Sequence, residues 1–188
     1  MQHILSLSYG KDSMALIYVV KDILHWPLDR IVSADVWATP TIPAELPPMV
    51  EFKKKADAVI LDRWGIAVEH VSSGITYEEQ FYQTRIQKNG AKCIYGFPCI
   101  KGGWCNDRLK MKALRVAQPK NCIAYLGIAA DEPNRFHTLS ATKKSPLVEA
   151  GWTESDCRKW CEENDLLSPI YTTSARGGCW FCHNQSVD

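Results

Sequence analysis

Two periods of hydrophobic and polar positions alternate along the chain. His3-Ile4-Leu5-Ser6-Leu7 is a short apolar run that reads as a buried strand. Met14-Ala15-Leu16-Ile17-Tyr18-Val19-Val20 reads as a packed helix. A second strand is predicted at 31–37, and Thr39-Pro40-Thr41-Ile42-Pro43 then breaks regular structure. Over 48–64, Val50, Phe52, Ala56, Val59 and Ile60 recur at helical spacing. Lys53, Lys54 and Lys55 between them read as a solvated face, and Gly65 as the helix stop. A third strand is predicted at 66–71. Thr76-x-x-Glu79 is a capping box for a helix to about Lys88. Residues 89–104 read as an irregular glycine-bearing loop, 106–117 as a helix, 122–128 as a fourth strand and 131–144 as a polar loop. Thr153-x-x-Asp156 opens a short helix carrying Cys157, Trp160 and Cys161.

Strands alternating with helices predict parallel βαβ units with right-handed crossovers. The fold class that follows is α/β: a Rossmann-like, doubly wound, mainly parallel sheet with helices on both faces. At 188 residues one domain is expected, its C-terminal segment from about 168 holding a Cys-x-x-Cys. The chain ends a few residues past that motif, which leaves a longer natural protein open. Ligands of open parallel sheets sit beyond the carboxyl ends of the strands. The loop after the first strand, residues 37–41 and residues 127–132 are then expected to face one crevice. The balanced charge, +1, gives no general case for binding nucleic acid or membrane surfaces. No apolar run approaches a membrane span, and Lys11 and Asp12 interrupt any signal-peptide core, so a cytoplasmic protein is expected. Eight cysteines without a secretion signal point to thiols or metal ligands rather than disulfides.

The stretch Ser8-Tyr9-Gly10-Lys11-Asp12-Ser13 joins the first strand to the first helix. A tight turn entering a helix N-terminus is an anion site, because the first N–H groups lack partners and the dipole favours negative charge. Ser8 and Ser13 offer hydroxyls, Gly10 a close backbone approach and Lys11 a charge, so the stretch suits a phosphate chain. It is not a Walker A loop, which needs two glycines ahead of Lys-Ser/Thr. Strand order at a switch point places the far end of such a ligand near Val36, Trp37 and Thr39.

Cys179-x-x-Cys182 can hold two positions of a metal site, and Cys105, after a Gly-Gly-Trp turn, is the best third ligand. A helix-start position favours its thiolate. The fourth ligand is open between Cys99 and His183, with Cys93 weaker. Cys122, Cys157 and Cys161 read as core, and His3, His25, His70 and His137 as structural or exposed. Arg108, Lys110, Lys112 and Arg115 make a basic helix. It is either a solvated face or one from which Arg108 or Lys112 reaches a phosphate or sulfate. Asp131-Glu132-Pro133-Asn134-Arg135 is a polar turn or a source of Mg2+ ligands.

The motif order resembles the phosphoadenosine phosphosulfate (PAPS) reductase-like family of the PP-loop, or adenine nucleotide α-hydrolase, superfamily. The residues 8–13 are similar to its PP-loop Ser-Gly-Gly-Lys-Asp-Ser, with Tyr9 in place of the first glycine. Residues 104–110 are similar to its cysteine and basic helix. Residues 127–132 are similar to its Gly-Ile-Arg-x-x-Glu turn, with Ala129 in place of the arginine. Trp152-Thr153-Glu154-Ser155-Asp156, Ser168-Pro169-Ile170-Tyr171 and Gly178-Cys179-Trp180-Phe181-Cys182 resemble its closing segments. The resemblance implies an enzyme that binds ATP or a related adenine nucleotide with Mg2+. It would cleave at the α-phosphate to adenylate an acceptor and release pyrophosphate. Lys11 and Asp12 would be catalytic, Lys11 on developing phosphate charge and Asp12 or Asp131 on the Mg2+. Ser8, Tyr9, Gly10, Ser13, Gly127 and Arg108 would bind the nucleotide. The resemblance also implies a [4Fe-4S] cluster or zinc on Cys105, Cys179 and Cys182, with the fourth ligand coming from elsewhere and Cys99 the candidate for it. A PAPS or adenylylsulfate reductase is the alternative enzyme. However, the cysteine pair of iron–sulfur members is Trp104-Cys105 here, and no cysteine follows Cys182. A non-catalytic nucleotide-binding subunit of a nucleic-acid modification or defence complex is the other. Partners implied are the nucleotide and an unknown acceptor, with nucleic acid only through a partner or as the modified substrate. A homodimer stays open.

Overall fold

The computed structural model describes residues 1–98, 103–172 and 178–182. Its strands are β1 (Gln2–Ser6), β2 (Arg30–Ala34), β3 (Val68–Val71), β4 (Thr84–Ile86), β5 (Lys92–Ile94), β6 (Cys122–Tyr125) and β7 (Lys143–Lys144). Five form one all-parallel sheet in the order β3-β2-β1-β6-β7, with Leu5 opposite Ile31 on one side and Tyr125 on the other. The pleat sends alternate side chains to opposite faces, so both faces need cover. On one face Leu5 and Ile31 pack under α1 (Lys11–Tyr18), α2 (Pro47–Trp64) and α7 (Glu154–Glu163). On the other, Ile4, Val32 and Cys122 meet Leu114 and Ala117 of α4 (Lys112–Ala117). This is the expected Rossmann-like doubly wound arrangement. Among the described residues no helix is long and apolar enough to cross a membrane.

The capping boxes form as the sequence predicts. Thr76 caps α3 (Tyr77–Tyr82) with Glu79, and Thr153 caps α7 with Asp156. Cys157 and Cys161 are fully buried on α7 beside Trp160, and Cys122 is buried in β6. His3 is structural, its Nδ1 lying 2.7 Å from the Tyr125 hydroxyl.

Three expectations change. The helix predicted to Lys88 stops at Tyr82, and β4 and β5 form an antiparallel hairpin from the expected helix end and loop. β-branched Thr84 and Ile86 favour strand, and Asn89-Gly90 supplies the turn, Gly90 with φ +82°. The polar loop after β6 contains the short α5 (Pro133–Phe136) and β7, which gains parallel pairing with Ala124 and Tyr125 and leads into the short α6 (Pro146–Glu149). Lys53 is buried, not solvated. Its ammonium lies 2.5 Å from Asp35 and 2.9 Å from Glu45. Burial works to lower its pKa, and the two carboxylates outweigh that and raise it.

Trp160 joins α7 to the rest of the core, stacking on Tyr18 with ring centroids 5.1 Å apart. Trp160→Ala is expected to cost about 3–5 kcal/mol. Urea unfolding should show a lower midpoint at an unchanged slope.

Candidate functional site

The chain turns one way from β1 through α1 to β2 and returns on the other side as β6, so the sheet's connectivity reverses between β1 and β6. That gap is where open α/β sheets hold ligands. The loop 8–10 leaves β1 there, and 126–132 leaves β6. Gly127 brings the two together. A Cβ on it would stand 3.0 Å from the Ser13 nitrogen and 3.1 Å from the Asp12 carbonyl carbon, so tight that the α1 backbone would have to shift.

The loop is internally braced. Ser8 N–H donates to the Ser13 hydroxyl at 3.2 Å, and that hydroxyl donates to the Gly10 carbonyl at 3.0 Å. Gly10 is the N-cap of α1 and provides no side-chain cap. The Lys11 N–H instead donates to the Tyr171 hydroxyl at 3.2 Å, from the 3-10 turn Pro169–Thr172. An oxygen atom thus already sits at the helix N-terminus, in the manner of an anion oxygen.

Tyr9 has φ +57°. That left-handed backbone suits glycine and costs a side-chain-bearing residue about 1 kcal/mol or more. The ring is buried, and its hydroxyl donates to Asp57 Oδ1 at 2.6 Å. Burial first, then Asp57, pushes its phenol far above the ordinary value. The network continues from Asp57 to His70 Nε2 at 2.9 Å and from His70 Nδ1 to Asp35 at 2.9 Å. Lys53 closes it from Asp35, 4.9 Å over the Tyr9 ring. α2 and the strands β2 and β3 therefore hold the loop from below.

Lys11 reaches out of α1 between two carboxylates, 3.0 Å from Asp12 and 2.7 Å from Glu154. Burial works to lower its pKa, but the hydrogen bonds it donates to Glu154 and Asp12 raise it well above the usual lysine value. Burial raises Asp12. Lys11 counters that, and nearby Glu154 and Glu132 raise it further. Asp131 accepts from the Glu154 N–H at 3.1 Å. Carboxylates that destabilise one another's charge suit a hard cation, and Mg2+ needs only one or two of them beside substrate phosphates. Sequence reasoning placed Lys11, Asp12, Asp131 and Glu132 here but missed Glu154 and Tyr171 as groups of this crevice. The capping box put Glu154 in the first turn of α7, and that was its one local signal.

The β2 exit is closely built. Ala44 N–H donates to Val36 O, and the carbonyls of Trp37 and Ala38 accept from Tyr77 N–H and Glu78 N–H, capping α3. Val36 is buried, Trp37 is half-exposed, and Thr39 braces the turn through its hydroxyl and Ile42 N–H at 3.1 Å. Cys105, Cys179 and Phe181 pack on this exit with Tyr77, Leu109 and Trp104. Trp180 N–H donates to Ala44 O at 2.8 Å.

Cys105, Cys179 and Cys182 influence one another electrostatically and so share one neighbourhood. Burial pushes Cys179 up to about 11 and raises Cys105, against the helix-start expectation, with Lys110 pulling both back. The Tyr77 hydroxyl, beside Cys105 and Cys179, is buried without a hydrogen-bond partner among the described residues. Thiols with an orphaned donor beside them fit a thiophilic metal in chemistry. Among the described residues, however, no three His, Cys, Asp or Glu side chains converge to hold one. Cys99 and His183, the fourth-ligand candidates, lie outside the described residues. Arg108 is turned to the hairpin, donating to Tyr95 OH at 2.5 Å and Gln80 at 3.3 Å. Comparison with known protein families and with curated proteins finds no match.

Two outcomes are expected. Gly127→Ala should loosen the crevice, lowering both thermal stability and any nucleotide affinity, measured by melting with and without ATP. Thiol alkylation at neutral pH should modify Cys93 first, because Gln87 and Arg85 lower its pKa and leave more thiolate. Buried Cys161, pushed up to about 12, should stay unmodified until unfolding, as followed by peptide mass analysis.

Proposed function

We propose that the chain binds ATP or a related adenine nucleotide in the β1–β6 crevice. It cleaves at the α-phosphate, adenylating an acceptor and releasing pyrophosphate. The observation that carries this is the loop 8–13: a left-handed residue, an N-cap without a side-chain cap and a half-buried lysine, all at the reversal of sheet connectivity. Its likeness to the PP-loop supports the same reading.

In this reading the polyphosphate lies along the N–H groups opening α1, displacing the Tyr171 hydroxyl. Lys11 exchanges Glu154 for a phosphate oxygen. Charge that builds on the leaving pyrophosphate meets donors already in place, which is where such a site gains most. Asp12, with Asp131 or Glu132 near, would hold a Mg2+ ion, which would supply positive charge against the phosphate oxygens. The acceptor forms a bond to the α-phosphorus as the α–β bridging bond breaks. The β2 exit receives the adenine near Trp37, beside the cysteine cluster. A zinc or iron–sulfur centre there would require Cys105, Cys179 and Cys182 to draw together and a further ligand to join them.

Lys11→Ala removes a charge-assisted bond expected to contribute about 1.5–3 kcal/mol. Titration calorimetry with ATP and Mg2+ should show affinity falling about ten- to a hundredfold, with an unchanged circular dichroism spectrum. Equal affinity in the two proteins would remove the loop from the site.

A further inference from the structure

The balanced overall charge hides a segregation. Residues 80–120 carry nine of the 22 lysines and arginines but one of the 21 acidic residues, Asp107. That lone acid is paired with Arg115. The segment comprises the β4–β5 hairpin and the helix that runs from the π-helical turn Asn106–Met111 into α4.

The two pieces are fastened to each other through an aromatic ring. Tyr95 lies between two guanidinium groups, Arg85 at 5.2 Å and Arg108 at 4.5 Å from the ring centroid. Trp104 Nε1–H donates to the Gly96 carbonyl at 3.1 Å, tying the hairpin's return strand to the helix start. The hairpin's Lys88 and Lys92 and the helix's Lys112 and Arg115 are exposed. Arg108, Lys112 and Arg115 line a shallow depression of about 340 Å³. Large aromatic faces accompany the charge: Tyr82 is 64% and Phe97 54% exposed at the foot of the hairpin. Cys105 immediately precedes the helix, so this surface abuts the cysteine cluster and the β2 exit.

We propose that this hairpin–helix surface binds single-stranded nucleic acid, with lysines and arginines on the phosphates and Tyr82 and Phe97 stacking on bases. Dense positive charge alone would suit any polyanion. Exposed aromatic rings set among the cations select a ligand with repeating phosphates and planar faces, and single strands offer unstacked bases. The strand is the acceptor class for the adenylation, and to that extent the inference rests on the function proposed above. The binding itself does not.

The test is anisotropy of labelled single strands of about 20 nucleotides, as DNA and as RNA, without ATP. The wild type should bind at about 50 mM salt, with log affinity falling against log salt at a slope of about −3, as expected for some four phosphate contacts. Lys88→Glu/Lys112→Glu should weaken binding at least about tenfold and flatten the slope by about one or more. Tyr82→Ala should weaken it by about tenfold. Lys54→Glu/Lys159→Glu, an equal charge change on exposed lysines elsewhere, should stay within about twofold. Lys11→Ala should bind the strand normally, so failure of the nucleotide site and failure of this surface read out separately. The inference is overturned if wild type does not bind at low salt or if the two double variants lose affinity equally. It is also overturned if polyglutamate of matched charge competes as well as the strand, or if a duplex of the same length binds as tightly.

Discussion

A half-buried ammonium held by two carboxylates stands where the sheet's connectivity reverses. Lys11 lies in the first turn of α1, Asp12 follows it, and Glu154 reaches over from α7. Its two carboxylates offset the hydration that a half-buried ammonium gives up. The bridge therefore couples the first loop to a helix 143 residues away in sequence. The packing beneath it serves the same junction: Trp160 on Tyr18, and the Cys161 thiol donating to the Lys11 carbonyl at 3.4 Å. A phosphate can replace a carboxylate against Lys11 with little change of geometry, so the junction is ready for exchange rather than locked.

Tyr9 imposes the second constraint. A residue with a side chain at φ +57° persists only where its surroundings compensate. Here the compensation is a buried ring and a hydroxyl bonded to Asp57, backed by His70, Asp35 and Lys53. A glycine would reach the same backbone without help but would leave the network without its apex. The loop's path is thus held by side-chain packing rather than by backbone freedom.

The sheet, the helix over 47–64, both capping boxes and the first loop were legible in the sequence because each is a local pattern. Apolar runs, Thr-x-x-Glu and a strand–turn–helix need no knowledge of the rest of the chain. The hairpin 84–94 was legible too, in Asn89-Gly90, but the preceding helical pattern masked it. Lys53 was not legible, since it repeats the look of Lys54 and Lys55. Only the arrival of Asp35 and Glu45 from other elements decides its burial. Glu154 and Tyr171 belong to the crevice through contacts spanning 143 and 160 residues, which no local spacing encodes. The thiol of Cys105 shows competing effects: helix-start stabilisation of the thiolate was the visible one, and burial wins.

The cysteine neighbourhood, the β2 exit and the basic hairpin–helix unit adjoin through Val36, Leu109 and Cys105. The account thus joins a phosphate cradle, a base-binding wall and an acceptor surface along one side of the sheet. Its central claim is that the polyphosphate occupies the 8–13 loop. A crystal structure with Mg2+ and an ATP analogue carrying a methylene between the α- and β-phosphorus atoms tests this most directly. The account predicts phosphate oxygens on the N–H groups that open α1 and Lys11 Nζ moved from Glu154 to a phosphate. Phosphates seated against Arg108 or the cysteine cluster, with Lys11 still bridged to Asp12 and Glu154, would contradict it.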